Sequence, residues 1–207
     1  MSDSPTKKRQ SDSEPARPPE RALRGLGEAG TGRLSGVGPA PSWDPPDCGD
    51  IDMRIAADGT WFYCGSPIGR APLVQLFASI MRREGDRYVL VTPVEKVGIK
   101  VDDAPFLAVE MRVESEADGP ELTFRTNVED LVTVDSEHPL RFEPGASEGL
   151  KPYVRVRGDL WALVKRALFY DLVDLGQTER AANEDWFGVR SRGLFFPMCP
   201  ASEIEGL

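Results

Sequence analysis

Two runs of sequence decide the fold: I-A-A-D-G-T-W-F-Y-C-G-S-P-I-G-R at residues 55–70, and Y-V-L-V-T-P-V-E-K-V-G-I-K-V-D-D-A-P-F at residues 88–106. Asp58-Gly59 lies between apolar runs and predicts a β-hairpin, because both turn residues tolerate positive φ. Between the two runs, apolar residues at helical spacing predict an amphipathic helix over residues 72–83. The second run alternates in a way that predicts strands. The region therefore predicts an α+β unit.

The second half of the chain repeats this order of elements. Residues 153–156 predict a strand ending at Gly158, and residues 160–175 predict a long helix. A short helical turn over residues 178–182 and a last hairpin within residues 186–198 follow. We interpret the pattern as an α+β fold of duplicated strand–helix–hairpin units, which form two small antiparallel sheets, each packed on one helix. Two unrelated α+β segments are the alternative.

Three regions follow from composition. Residues 1–48 hold eight of the 18 prolines and predict a disordered tail, because they offer little apolar surface to bury. Residues 49–106 form the predicted N-terminal α+β unit, and residues 107–207 form the C-terminal one.

Composition also argues against several classes of function. The net charge of −9 disfavours direct binding of nucleic acid or of anionic membranes. No apolar signal segment or membrane-spanning run is present, and the three cysteines form no C-x-x-C pair, so we expect a cytoplasmic protein without a metal or another cofactor. The single histidine, His138, lies in a predicted loop, and no hydrolase motif surrounds it. We therefore lean against an enzyme.

The clearest candidate for chemistry is the alternating stripe Tyr153, Arg155 and Arg157, which one face of a strand would carry. Guanidinium groups bind phosphate and carboxylate through paired hydrogen bonds, so the stripe predicts an anion site. A solvated sheet face with local ion pairs is the alternative. Arg70 before the first helix and the turn pair Glu95-Lys96 are further polar candidates.

Four runs carry a family resemblance: D-G-T-W-F-Y at residues 58–63, G-S-P-I at 65–68 with Arg70, T-P-V-E-K at 92–96 and D-A-P-F at 103–106. In the second half, P-Y at residues 152–153 and R-V-R-G at 155–158 add to it. Together they resemble the bacterial domain-of-unknown-function family 1285, over about residues 50–200. The resemblance implies a duplicated core, a C-terminal half superficially like a pleckstrin-homology domain, a nucleotide-like ligand between the halves, and a role in signal transduction.

The leading hypothesis is a regulatory module that binds a nucleotide-like anionic small molecule between its halves. Its predicted pocket is lined by Trp61, Arg70, Glu95, Lys96, Tyr153, Arg155 and Arg157. Trp61 would stack on a base, although core packing is the default for such a residue. Two alternatives stay open: a protein-interaction module without a small ligand, and an enzyme that uses Glu95 or Asp103 as a base.

Overall fold

The computed structural model describes residues 43–116, 119–145, 149–181 and 183–204. In these residues the chain is mostly β-sheet, with two six-stranded sheets, one three-stranded sheet and two α-helices. The general α+β character predicted from the sequence is present, with more strand and less helix than expected. Most of the predicted disordered tail, residues 1–42, lies outside the described residues, whereas residues 43–48 are described.

The first half forms one six-stranded sheet in the order β3-β2-β1-β6-β5-β4. Neighbouring strands are antiparallel except for β1 and β6, which are parallel. The elements of this half are β1 (Asp47–Ile55), β2 (Trp61–Tyr63), β3 (Ser66–Pro67), α1 (Ala71–Ser79), β4 (Met81–Glu84), β5 (Arg87–Val91) and β6 (Lys96–Val101).

The second half contains the other two sheets. The six-stranded sheet has the order β10-β11-β12-β7-β8-β9, with β12 and β7 parallel, and the three-stranded sheet has the order β13-β14-β15. Its elements are β7 (Phe106–Glu116), β8 (Gly119–Thr126), β9 (Leu131–Thr133), β10 (Leu140–Pro144), β11 (Leu150–Arg157), β12 (Leu160–Val164), α2 (Arg166–Asp174), β13 (Gln177–Ala181), β14 (Glu184–Ser191), β15 (Leu194–Pro200) and a 3₁₀ turn at Ala201–Glu203.

Both predicted helices are too long. The helix predicted over residues 160–175 is a strand, β12, followed by the shorter helix α2. Leu160, Ala162 and Val164 are buried while the residues between them are half-buried, so the period is that of a strand. The first helix ends at Ser79. The next residues pair with β5 as β4, through a turn in which Gly85 has a φ of +61°.

Two other predictions about secondary structure are wrong. The predicted helical turn at 178–182 is replaced by strand β13, which pairs with β14. The sheets are not purely antiparallel, because each six-stranded sheet contains one parallel pair.

One apolar core joins the two halves. Trp61 and Phe77 enter it from the first half, and Phe106, Phe124 and Leu172 enter from the second. The Trp61 and Phe77 rings stack with centroids 6.3 Å apart. In the ranges given above, no helix has the length and apolar character needed to cross a membrane.

Candidate functional site: a polar cleft between the halves

A cleft of about 300 Å³ lies where the two halves meet. The first half supplies Arg83 from β4 and Tyr88 from β5, and the segment between β6 and β7 supplies Asp103. Strands β10, β11 and β12 complete the cleft with Arg141, Glu143, Tyr153 and Trp161. Hydrogen-bonding and charged side chains therefore dominate its wall.

Asp103 is held at the wall by two donors. The Tyr153 hydroxyl donates to Oδ1 at 2.7 Å, and the Lys151 ammonium donates to Oδ2 at 2.6 Å. Burial and the hydrogen bond to Asp103 raise the pKa of Tyr153 well above its usual range. The phenol therefore stays protonated at neutral pH, and the carboxylate keeps one orientation.

Arg141 stacks on the aromatic wall. Its guanidinium carbon lies 4.1 Å from the Trp161 ring centroid and 5.1 Å from that of Tyr153. Nε lies 3.1 Å from a Glu143 carboxylate oxygen, but it makes no aligned hydrogen bond within the described part of the chain. The contact is therefore electrostatic, and the guanidinium keeps donors for another acceptor.

Arg83 is the second cation of the cleft. Its guanidinium lies 5.5 Å from the Tyr88 ring centroid, and its Nε donates to the Gly85 carbonyl at 3.1 Å. Its nearest carboxylates, Asp86 and Asp159, are 3.8 Å and 3.7 Å away, beyond hydrogen-bonding distance. The terminal nitrogens of Arg83 are therefore also open to a ligand.

Tyr88 lies within the field of both arginines. Burial raises the pKa of its phenol, and the positive charges of Arg83 and Arg141 oppose that rise. In the residues that the structure describes, its hydroxyl makes no hydrogen bond. The cleft thus offers two guanidiniums and a neutral phenol as donors, with Asp103 as an oriented acceptor. This arrangement suits a small anion that also carries a donor group.

Of the seven predicted pocket residues, the structure brings only Tyr153 into this cleft. Trp61 is a core residue, 2% exposed. Arg70 is exposed at the start of α1 and makes no side-chain cap. Glu95 lies in the turn before β6, where its backbone pairs with Thr92.

The remaining three predicted pocket residues bind other groups of the protein. The Lys96 ammonium binds Glu84 at 2.8 Å, and Arg155 donates to the Gly158 carbonyl at 2.5 Å. Arg157 donates to Asp130 at 2.7 Å and to the Ala78 carbonyl at 2.6 Å. The expected stripe therefore does not converge on one anion.

Sequence reasoning missed Arg83, Tyr88, Arg141 and Glu143 as site residues. Arg83 fell at the end of a predicted helix, and no predicted element covered Arg141. The alternation of Arg141 and Glu143 with Leu140 and Phe142 could have indicated a strand with a charged face. For metals, the described ranges contain no group of three or more His, Cys, Asp or Glu side chains placed to hold an ion.

The comparisons with known proteins give the family. The model for the N-terminal domain of unknown function DUF1285 matches residues 38–104, and the model for the C-terminal domain of the same family matches residues 105–198. A crystal structure of a DUF1285 family protein from Silicibacter pomeroyi DSS-3 is 51% identical, with 81% of this chain and 91% of that chain covered and a TM-score of 0.75. The chain belongs to the DUF1285 family.

A second DUF1285 family structure, from Shewanella baltica OS155, is 30% identical over 60% of this chain and 91% of that chain, with a TM-score of 0.48. No curated protein matches the chain. The two DUF1285 domain models meet between Ala104 and Pro105. Asp103 and the cleft therefore lie at the junction of the family's two domains.

Proposed function

We propose that this DUF1285 protein binds a small anionic ligand in the cleft between its two domains. One observation carries the proposal: Arg83 and Arg141 line the same cleft, and neither makes a hydrogen bond to a carboxylate within the described residues. Each guanidinium has a carboxylate within 4 Å but no aligned hydrogen bond to it, and both side chains are partly exposed, so both keep N–H donors that one bound anion could share.

The lining also supports a ligand class. The arginines offer donors to phosphate or carboxylate, the Tyr88 hydroxyl offers a further donor, and Asp103 offers an acceptor to an amine or hydroxyl, while Arg141 already covers the Trp161 ring. A nucleotide-like molecule combines these features. The volume of about 300 Å³ is at the lower end of the usual range, so the cleft accommodates one small ligand.

A regulatory role and a cytoplasmic location complete the proposal. Ligand contacts from both domains at once would stabilise their relative placement, which is how a binding module reports occupancy. Domain duplication and the pleckstrin-homology likeness stay predictions. In favour of duplication, each half has a helix followed by three antiparallel-connected strands, α1–β4–β5–β6 and α2–β13–β14–β15.

The enzyme alternative has weaker support. Asp103 lines the cleft, but both of its oxygens already accept hydrogen bonds from Tyr153 and Lys151, so it is poorly placed to take a proton from a substrate. Glu95 does not line the cleft.

A thermal-shift screen tests the proposal. The panel contains nucleotides, dicarboxylates and amino acids, each at high concentration. A ligand at about 100 times its Kd adds about 2.7 kcal/mol, which raises the Tm of a domain of this size by about 5–10 °C. Arg141→Met should abolish the shift, because it removes the charge and keeps an apolar stem on Trp161.

Arg112→Met is the matched control, because Arg112 is 78% exposed and lies outside the cleft. It should respond to the ligand like the wild-type protein. Absence of any shift across the panel, or an equal shift in Arg141→Met, would contradict the proposed function.

A further inference from the structure

A second concave surface, which we call the α2 groove, lies between the start of β11 and helix α2. It encloses about 530 Å³ and shares no described lining residue with the cleft. Its described side chains are mostly apolar or aromatic, and they include Leu150, Pro152, Leu163, Phe169 and Tyr170. Tyr170 is 54% exposed, which is a large apolar exposure for a side chain beside a groove.

The α2 groove has an ordered aromatic wall and a basic rim. The rings of Phe169 and Tyr170 lie 6.4 Å apart with a 40° tilt. Arg166 donates from Nε to the Tyr170 hydroxyl at 3.0 Å, which orients that ring. Within the described residues no carboxylate lies within 4 Å of the Arg166 guanidinium, so its charge is available to an acidic partner.

The chain itself contains a segment of matching chemistry. Residues 13–21 read S-E-P-A-R-P-P-E-R, with Pro15 and Pro18 three residues apart. The segment is neutral overall, because Arg17 and Arg21 balance Glu14 and Glu20, so a single glutamate rather than a net charge would pair with Arg166. Proline fixes φ near the polyproline II value, and that helix has three residues per turn, so Pro15 and Pro18 share one face. Aromatic-lined grooves bind such P-x-x-P segments.

We propose that residues 13–21 dock in the α2 groove of the same chain, with Pro15 and Pro18 against Phe169 and Tyr170, and a flanking glutamate paired with Arg166. Docking of residues 13–21 does not require a ligand in the cleft. The groove nevertheless lies beside the cleft, because Lys151 lines the groove and binds Asp103 through its ammonium group.

The connection is long enough for this contact. The chain between residue 21 and the first described residue, Trp43, spans up to about 70 Å when extended, at about 3.3 Å per residue. A folded domain of this size has a radius of gyration of about 15 Å, so every part of its surface is within reach. The effective concentration of a tethered segment is about millimolar, and a weak contact is therefore populated.

Photocrosslinking in the full chain tests the proposal. Tyr170 is replaced by p-benzoylphenylalanine, which keeps an aromatic ring at the groove, and cross-linked peptides are identified by mass spectrometry. We expect cross-links to residues 13–21 within one chain, with a yield that does not change on about tenfold dilution, as for a tethered segment. Cross-links to other segments, or a yield that falls on dilution as for contacts between two copies, would overturn the proposal.

Matched proline variants sharpen the test. Pro15→Ala combined with Pro18→Ala should lower the cross-link yield several-fold and speed amide exchange in α2. Pro39→Ala combined with Pro41→Ala removes two prolines from the same part of the sequence and should change neither measurement. Equal behaviour of the two double variants in both measurements would overturn the docking of residues 13–21.

Discussion

Arg157 offers the sharpest test of how the two halves are joined. Its side chain is 9% exposed, and it projects from β11 in the second half. One terminal nitrogen donates to Asp130 at 2.7 Å, and the other donates to the Ala78 carbonyl of α1 at 2.6 Å. The guanidinium carbon lies 5.1 Å from the Phe106 ring centroid.

Arg157→Ala should therefore be strongly destabilising. It leaves the Asp130 carboxylate, 12% exposed, without its cation and the Ala78 carbonyl without its donor. Breaking a buried ion pair by removing one partner costs about 3–5 kcal/mol. With a urea m-value of about 2 kcal/mol/M, the unfolding midpoint should fall by about 2 M.

Urea unfolding followed by tryptophan fluorescence measures this change, with Arg54→Ala as the control. Arg54 makes a similar bidentate pair with Asp102 but is 48% exposed, so its loss should lower the unfolding midpoint far less than the loss of Arg157. Asp130→Leu added to Arg157→Met should recover part of the loss, because no buried charge is then left alone. If Arg157→Ala costs no more than Arg54→Ala, the inferred role of Arg157 is wrong.

Two further predictions concern the cleft and the third sheet. The pKa of Tyr153 is raised in the folded protein, so the unfolded chain loses this proton first as the pH rises above about 10, and the free energy of unfolding should decline there. Tyr153→Phe should make the decline of the unfolding free energy with pH shallower. An unchanged slope of unfolding free energy against pH would contradict the Asp103 hydrogen bond. A Cβ at Gly188 would lie 2.3 Å from the Phe196 carbonyl oxygen, so Gly188→Ala should lower the free energy of unfolding by about 1–3 kcal/mol. Gly69→Ala is the control and should leave stability unchanged, because nothing lies within 4 Å of a Cβ at that position. Equal unfolding midpoints for the two variants would contradict the packing of β14 against β15.

Sequence patterns located most strands but not the ends of the helices. Asp58-Gly59 between apolar runs predicted the turn that joins β1 and β2, where Gly59 has a φ of +80°. Residues 160–164 carry apolar side chains that fit a helical stripe and a strand equally well. The pairing with β11 and β7 decides in favour of a strand, and such long-range pairing is not encoded in local spacing.

The site was harder to predict for the same reason. Tyr153 and Asp103 were both noticed in the sequence, but their contact joins residues 50 positions apart. Arg83 lies on β4 and Arg141 lies on β10, and these strands belong to different sheets. Only the packing of the two sheets brings both arginines to one cleft. Arg155 and Arg157 bind separate partners, Gly158 and Asp130, and the contact of Arg157 with Asp130 joins residues 27 positions apart.

The most direct test of the central claim is calorimetric titration of the strongest ligand from the screen into the wild-type protein, Arg141→Met and Arg112→Met. A hydrogen bond to a charged group contributes about 1.5–3 kcal/mol, so Arg141→Met should weaken binding by about 10–100-fold, while Arg112→Met binds like the wild-type protein. Equal affinity in all three proteins would show that the cleft between the two DUF1285 domains is not the binding site.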